Sequence, residues 1–317
     1  MAITTSSAPK ALWPGISAWY GQSYNEFEVQ YEALFTTQTS RRAYEEVVGA
    51  TGFGMAMIKP EGQAISYDDQ SQAFITRYTP VRYALGFTIT HEAMVDNLYD
   101  VVGKRGAEDL AFSMRQTKEV VAANVYNRAF DGSGFFGGDG VEMIHFEHPN
   151  FTGGTQSNVG SASLSEAALE TAVIDIAKWE TDRGLLINVK PTQLIVPSFL
   201  QFEAKRLLNS EGRTTASLLS EFGLQTGGTG LSSGATNDIN AFNAMGYFSN
   251  YTVNNFLTSD TAWFLRTNVK NGPTCIKREE MVFGTDNDYD TENAKYKATE
   301  RYAFGWSDWR GIYGSAV

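Results

Sequence analysis

Residues His91–Phe130 have the sequence HEAMVDNLYDVVGKRGAEDLAFSMRQTKEVVAANVYNRAF. They contain no proline, and Thr90 with Glu92 is a suitable start for a helix. Gly132 lies just past the end, where a helix commonly stops. Apolar residues recur through the stretch at helical spacing: Met94, Leu98, Val102, Leu110, Met114, Val121, Val125 and Ala129. The stretch therefore predicts one long helix.

A continuous helix of this span would be about 60 Å long. An average globular helix has only about 11–12 residues, so a helix this long is a defining element of the fold. Gly103 and Gly106 lie inside it, and we expect them to bend or soften it. The heptad pattern is not maintained, which excludes a coiled coil.

The chain before this helix changes character near residue 45. Residues 1–44 begin polar and irregular, favour a helix over Asn25–Tyr44, and carry many aromatic side chains. Glycine and proline then interrupt the chain up to Gly62, and the Thr, Tyr, Phe and Ile content of Ala73–Thr90 is typical of strands. Residues 45–88 are therefore predicted to form a long, hairpin-like excursion.

The chain after the helix alternates short strands and helices. The Ser163–Glu166 spacing is that of a capping box at the start of a helix. We predict strands over Val141–His148 and Gln193–Val196, near 252–253, 263–265 and 274–276, and over Lys295–Trp306; helices over Leu164–Thr181 and from Ser198 to Leu208; and a polar loop over 225–240.

Composition favours a folded protein that is largely covered by neighbours. The 317 residues are 42% hydrophobic and 13% aromatic, which is enough for a packed core. Charged residues are only 19%, below the usual quarter, so much of the surface is expected to be shielded from water. The formal net charge of −11 argues against tight nucleic-acid recognition, which needs Lys and Arg to neutralise phosphates.

The only cysteine is Cys275, so an internal disulfide framework is excluded, and we expect a buried, inert thiol. Residues Met1–Pro14 do not resemble a signal peptide, and no stretch has the roughly 18 apolar residues of a membrane span. The sequence favours a soluble protein that is kept in a reducing compartment. We expect this protein to bind no cofactor.

Three motifs suggest chemistry, and each has a simpler structural interpretation. Gly230–Gly234 matches the G-x-S-x-G pattern around Ser232, but all three histidines precede it, whereas a nucleophile elbow needs a later histidine. His145 and His148 would point to opposite faces of a strand. The Asp286, Asp288, Asp290 repeat lacks the glycine and glutamate that a calcium loop requires. We expect no enzymatic activity.

The order of elements resembles the major capsid proteins of tailed double-stranded DNA bacteriophages, which have the Hong Kong 97 capsid fold. The Ala73–Ile89 strands running into His91–Phe130 look like the extended loop followed by the spine helix. Gln193–Pro197 with the Phe199–Leu208 helix is similar to the start of the axial domain, and Lys295–Gly314 to the returning strands. The resemblance rests on order and length over the whole chain rather than on one sharp motif.

The resemblance implies an α+β fold with an N-terminal arm, an extended loop, a long spine helix, a peripheral domain and an axial domain. On this chain the expected boundaries are 1–44 for the arm, 45–88 for the loop, 89–184 for the peripheral domain with the spine helix, 185–285 for the axial domain and 286–317 for the return strands of the peripheral domain.

The resemblance also implies assembly. Copies of the chain would form pentamers and hexamers of an icosahedral virion, assembled in the host bacterial cytoplasm, that encloses double-stranded DNA without recognising its sequence. The short arm implies a separate scaffolding protein, alongside a portal and a decoration protein; no membrane is involved. The expected contacts between subunits are Trp13, Trp19, Tyr20, Lys59, Phe74 and Tyr78.

Some alternatives stay open at this point. Some members of the family cross-link a loop lysine to a neighbour; Lys59 lies in the loop, but no matching asparagine or glutamate is identified. A cellular encapsulin-type nanocompartment shell has the same fold, and a soluble serine hydrolase using Ser232 is the alternative from another class. Because regular apolar periodicity is weak before Asn25, we expect a chain lacking Ala2–Gly21 to stay soluble and cooperative but to assemble poorly.

Overall fold

A computed structural model describes residues 9–95, 99–209, 241–248 and 250–316. The chain forms two compact units. Unit 1 comprises Met1–Gly49, Phe74–Gly140 and Asn271–Ser307, and unit 2 comprises Ala50–Ala73, Val141–Lys270 and Asp308–Val317.

The described chain contains helices and strands, and short 3-10 turns lie at Ser198–Leu200 and Trp309–Gly311. In chain order the elements are α1 Pro9–Glu26, α2 Tyr31–Leu34, β1 Thr36–Thr39, β2 Glu45–Ala50, β3 Gln72–Tyr78, β4 Val81–Ile89, α3 His91–Val95, α4 Tyr99–Asn127, β5 His148–Pro149, β6 Thr155–Gln156, β7 Val159–Gly160, α5 Glu166–Ala177, β8 Pro191–Pro197, α6 Gln201–Asn209, α7 Ala241–Met245, β9 Asn250–Asn254, β10 Trp263–Thr267, β11 Pro273–Asn287, β12 Ala294–Trp306 and β13 Ile312–Ser315.

Unit 1 is a four-stranded sheet in the order β1-β11-β12-β4, with α1 and α4 packed together beside it. The long strands β11 and β12 form an antiparallel hairpin, and β1 adds to β11 in parallel. Alternate residues of β12 are buried, as period-2 patterning requires of a sheet with one covered face. The core beneath that face joins Tyr20, Leu110, Met114, Tyr296 and Ala298.

The predicted long helix is confirmed over Tyr99–Asn127, preceded by the short helix α3. Its buried stripe includes the predicted Leu110, Met114 and Val125. Gly106 has a packing role, since a Cβ there would lie 3.0 Å from the Phe87 ring. That ring stacks on Tyr296 at 5.0 Å between centroids, so the missing side chain lets the helix approach the sheet.

The structure corrects the interpretation of residues 1–44 as an arm that lies outside the core. The helix is α1, Pro9–Glu26, whereas residues 27–44 contain only the four-residue α2 followed by β1. The side chains of Tyr20, Tyr31, Leu34 and Phe35 are at most 2% exposed. The aromatic side chains therefore fill the interior of unit 1, which periodicity alone did not reveal.

A chain lacking Ala2–Gly21 is therefore expected to lose stability rather than only assembly, contrary to the prediction from sequence. The deletion removes Tyr20, which stacks on Tyr24 and Phe283, and burying an aromatic of this size contributes about 1.5–3 kcal/mol. Circular dichroism melts should show a lower melting temperature or insoluble protein. A truncated chain that melts as the intact chain does would contradict this placement of α1.

Unit 2 contains a five-stranded mixed sheet in the order β7-β13-β10-β8-β9. Helices α5 and α6 cover it, and Leu169, Ile176, Leu194, Trp263 and Leu265 lie in its core. The predicted strands at 193–196, 252–253 and 263–265 are confirmed as parts of this sheet, and those at 274–276 and 295–306 belong to unit 1. The predicted helix over 198–208 is confirmed as a 3-10 turn that continues into α6.

The strand predicted over Val141–His148 is wrong, since only His148 belongs to a two-residue strand. Asn158 takes the place of a partner strand: its side chain accepts from the His145 N–H at 2.9 Å and donates to the Met143 carbonyl at 2.9 Å. The cap of α5 is Ser165 rather than Ser163, because the Ser165 hydroxyl accepts from the Ala168 N–H at 3.2 Å.

The two units do not coincide with the domain boundaries expected from the sequence. The boundary at 184/185 falls inside unit 2, because β7, α5 and β8 share one sheet and core. Residues 308–317 return to unit 2 through β13 rather than ending in unit 1. The polar loop predicted over 225–240 lies outside the described residues. Of the helices that are described, none is long and apolar enough to cross a membrane.

Candidate assembly surface

A loop from Thr51 to Ser71 joins the paired strands β2 and β3 and is closed at its base by hydrogen bonds. The Thr51 N–H donates to the Ser71 carbonyl at 3.0 Å, and the Ser71 N–H donates to the Thr51 hydroxyl at 3.2 Å. Thr51 is 2% exposed, so this base is firmly placed. We call the segment the 51–71 loop.

The 51–71 loop presents apolar side chains to solvent. Met55 is 81% exposed, Met57 78% and Ile58 95%, and Phe53, Ile65 and Tyr67 are also exposed. Every residue from 55 to 72 is exposed, so the described part of the chain leaves these side chains largely open to solvent. Exposed apolar side chains gathered in one loop make the loop a candidate surface for contact with a partner.

The base of the loop is also held by one carboxylate. Asp68 Oδ2 accepts from the Gly54 N–H at 2.8 Å, across the two sides of the loop. This backbone hydrogen bond, followed by the nearby Arg183 guanidinium, lowers the pKa of Asp68 from its usual value. The carboxylate is therefore charged over the whole neutral range and keeps both sides of the loop together.

The contact residues predicted from sequence occupy different environments. Tyr20 and Tyr78 are 1% and 4% exposed, and Tyr78 bonds to Ser307 at 2.6 Å. A neighbour cannot reach either side chain without rearrangement of unit 1, because both are covered within the chain. Trp19 packs half-buried against the core of unit 1, and the side chain of Trp13 lies outside the described residues.

Lys59 is exposed and Phe74 is half-buried, so both remain candidates for contact. The sequence interpretation missed Met55, Met57 and Ile58, which are more exposed than the selected Trp19, Tyr20, Phe74 and Tyr78. Their signal was present as an apolar run inside a segment that glycine and proline mark as a loop.

Of the motifs that suggested chemistry, the histidine pair and the acidic repeat lie among the described residues. His148 is fully buried, stacks on Trp309 at 4.7 Å, and bonds to Asn158 at 3.1 Å. Asp288 accepts from Lys295 at 2.6 Å in the β11–β12 turn. Among the described residues there is no group of three metal-ligating side chains. Ser232 lies outside the described residues.

The buried thiol predicted at Cys275 is confirmed, since the residue is 0% exposed and burial raises its pKa to about 11. Below that pH the thiol is neutral and shielded, which leaves it a poor nucleophile.

Raising the pH from about 10 to about 12 is expected to unfold the protein. Burial raises the pKa of Tyr31, Tyr78 and Tyr313 to about 12, and raises that of Tyr20, Tyr24 and Tyr302 as well. A raised pKa means that the folded state favours the neutral phenol, so its contribution to stability is complete below the unfolded pKa near 10 and is lost above it.

Phenolate absorbance and circular dichroism should be followed together during the titration, with urea-unfolded chain as the reference. We expect part of the tyrosine signal to appear only with the loss of helical signal. Ionisation of all tyrosines near the unfolded value, with the circular dichroism spectrum intact, would contradict the burial of these rings.

The sequence profile of a family described as phage capsid protein matches residues 73–315, most of the chain. The chain belongs to the phage capsid protein family. The fold agrees: the capsid of a native GTA particle superposes with a TM-score of 0.52 at 13% identity, covering 91% of this capsid protein and 90% of the other chain.

A second solved structure, a phage-related protein from Bordetella bronchiseptica RB50, superposes with a TM-score of 0.50 at 11% identity and covers 93% of this chain and 94% of that one. None of the curated proteins matches the sequence significantly. The predicted α+β, Hong Kong 97-type fold is confirmed, and this capsid protein is a structural shell subunit that associates with copies of itself.

Proposed function

We propose that this capsid protein forms pentamers and hexamers that tile an icosahedral phage head around double-stranded DNA, and that the head assembles in the cytoplasm of the host bacterium. The observation that carries the proposal is the family match over residues 73–315. It supports a phage head rather than a nanocompartment shell, since the matching family is one of phage capsid proteins. The chain's role in that head is structural and not catalytic.

Contacts between subunits would be made by the 51–71 loop. Its exposed apolar side chains can each contribute about 1.5–3 kcal/mol when they are buried against a neighbour. The same small contact is repeated at every equivalent position of a closed shell, so modest contacts add up to a stable particle. Lys59 lies beside Ile58 and Phe74 follows the base of the loop, so both belong to this proposed contact.

The packaged DNA would be enclosed rather than tightly bound. A net charge of −11 offers little neutralisation of phosphates, so proximity to DNA would be non-specific. A separate scaffolding protein, a portal and a decoration protein are the further partners of such a head. Their part would be to set the size of the shell, admit DNA and reinforce the surface.

Electron cryomicroscopy of particles isolated with the other head proteins tests the proposal. We expect icosahedral shells that protect double-stranded DNA from added nuclease. Shells that contain an enzyme cargo and no DNA would identify a nanocompartment instead. Substituting Ser232→Ala should leave shell formation unchanged, whereas loss of a measurable esterase activity in that variant would overturn the structural assignment.

A further inference from the structure

The turn from Thr181 to Leu185 holds Arg183 on a rigid base. The Thr181 N–H donates to the Leu185 carbonyl at 2.7 Å, and Gly184 adopts the left-handed φ of 75° that closes the turn. Asp182 accepts from Arg310 at 3.1 Å, and these two side chains are only 14% and 10% exposed. The residue next to Arg183 is therefore fixed in the body of unit 2.

From this base Arg183 reaches the 51–71 loop, which belongs to the same unit. One terminal nitrogen of its guanidinium donates to the Asp69 carbonyl at 2.6 Å and lies 3.4 Å from Asp68 Oδ1. Its side chain is 28% exposed, less than that of Asp68 at 45%. One terminal nitrogen of the guanidinium thus contacts the backbone and the carboxylate of the loop at once, because that nitrogen carries two N–H donors.

The loop joins β2 and β3, which pair as a two-stranded sheet, and the Arg183 contacts tie it to the Thr181–Leu185 turn. The Thr51–Ser71 hydrogen bonds and the Asp68–Gly54 bond join one side of the loop to the other. They close the loop but do not fix its direction relative to the Thr181–Leu185 turn. The apolar side chains are mostly exposed in the described structure and add little packing. A partly exposed ion pair biases an equilibrium by no more than about fivefold. That bias is enough to favour one direction and weak enough to let the loop adjust on contact.

We propose that Arg183 is the positioning residue that sets the direction of the 51–71 loop before it contacts a second copy of the chain. The inference rests on the proposed function. With the loop already directed, assembly costs less conformational entropy, because fewer loop conformations must be given up when the contact forms.

A spin label on the 51–71 loop directly measures how mobile the loop is. Cys275 is buried, so Ser66→Cys introduces the only accessible thiol among the described residues. In the Arg183→Ala background we expect the rotational correlation time of the label to shorten by up to about fivefold, the bias that the ion pair supplies. Arg183→Lys should restore part of the order, since an ammonium can still reach one acceptor.

The matched control is Arg206→Ala, which removes an exposed guanidinium that bonds only to Phe202 of its own helix α6 in the described structure. It should leave the label unchanged, and all these variants should melt as the wild type does. Label mobility in Arg183→Ala equal to that of the wild type would overturn the proposal.

Assembly supplies the second measurement. Arg183→Ala should slow shell formation by up to about fivefold in light scattering, with Arg183→Lys between it and the wild type. A more mobile loop with an unchanged assembly rate would also overturn the proposal. A wild-type chain that forms no shells with the other head proteins would count against the proposed function instead, while the label still decides whether Arg183 directs the loop.

Discussion

Substituting Glu300→Gln is expected to lower the free energy of unfolding by about 3–5 kcal/mol. Glu300 is 1% exposed and lies 2.7 Å from Lys118, whose side chain is 8% exposed. Glu300 also accepts from the Tyr24 hydroxyl, so it joins α1, α4 and β12 in the interior of unit 1. Glutamine keeps an acceptor for Tyr24 but leaves the Lys118 ammonium buried without its counter-charge, which is the costly part of the change.

Urea unfolding followed by circular dichroism measures this effect. The control is Glu279→Gln, which breaks an equally short pair with Arg82 at 2.7 Å but at the surface, where the loss should stay within about 1 kcal/mol. Adding Lys118→Met to Glu300→Gln should recover most of the stability, since the Lys118 ammonium is then no longer buried without its counter-charge. A Glu300→Gln protein as stable as the Glu279→Gln control would contradict the buried pair.

Substituting Met57→Ser together with Ile58→Ser is expected to abolish shell assembly while leaving the subunit folded. Both side chains are nearly fully exposed, so surface changes of this kind should alter stability by no more than about 0.5 kcal/mol. If each contributes about 1.5–3 kcal/mol at the contact, the pair is worth about 3–6 kcal/mol. That loss weakens each contact by at least about 100-fold.

Light scattering and electron microscopy measure assembly, and circular dichroism checks the fold. Gln63→Ser is the control within the same loop, because it shortens an exposed polar side chain and removes almost no apolar area. Shells of normal yield from the double variant would exclude these two residues from the contact. Loss of assembly in the Gln63→Ser control as well would show that the loop backbone, not its apolar side chains, makes the contact.

The long helix and most strands could be predicted from the sequence because local patterning decides them. The stripe through Leu110 and Met114 and the alternation along Lys295–Trp306 both report which side of an element faces the core. Such patterns depend only on residues close in sequence, so they can be recognised without knowledge of the fold.

The N-terminal segment and the contact residues could not be predicted in the same way. Tyr20 and Tyr78 have the composition of interface residues, and only their partners Phe283 and Ser307, more than 200 positions away, show that they are internal. Residues 141–148 have strand-like composition, but the side chain of Asn158 satisfies their backbone instead of a neighbouring strand. Long-range partners of this kind leave no local pattern.

Sedimentation velocity of the full-length capsid protein at physiological salt, with and without the other head proteins, is the most direct test of self-assembly into a shell. We predict closed shells, or rings of five and six copies of the 34.9 kDa chain, with the Met57→Ser, Ile58→Ser variant remaining a monomer. A wild-type chain that sediments only as a folded monomer, even with every head protein present, would contradict the account.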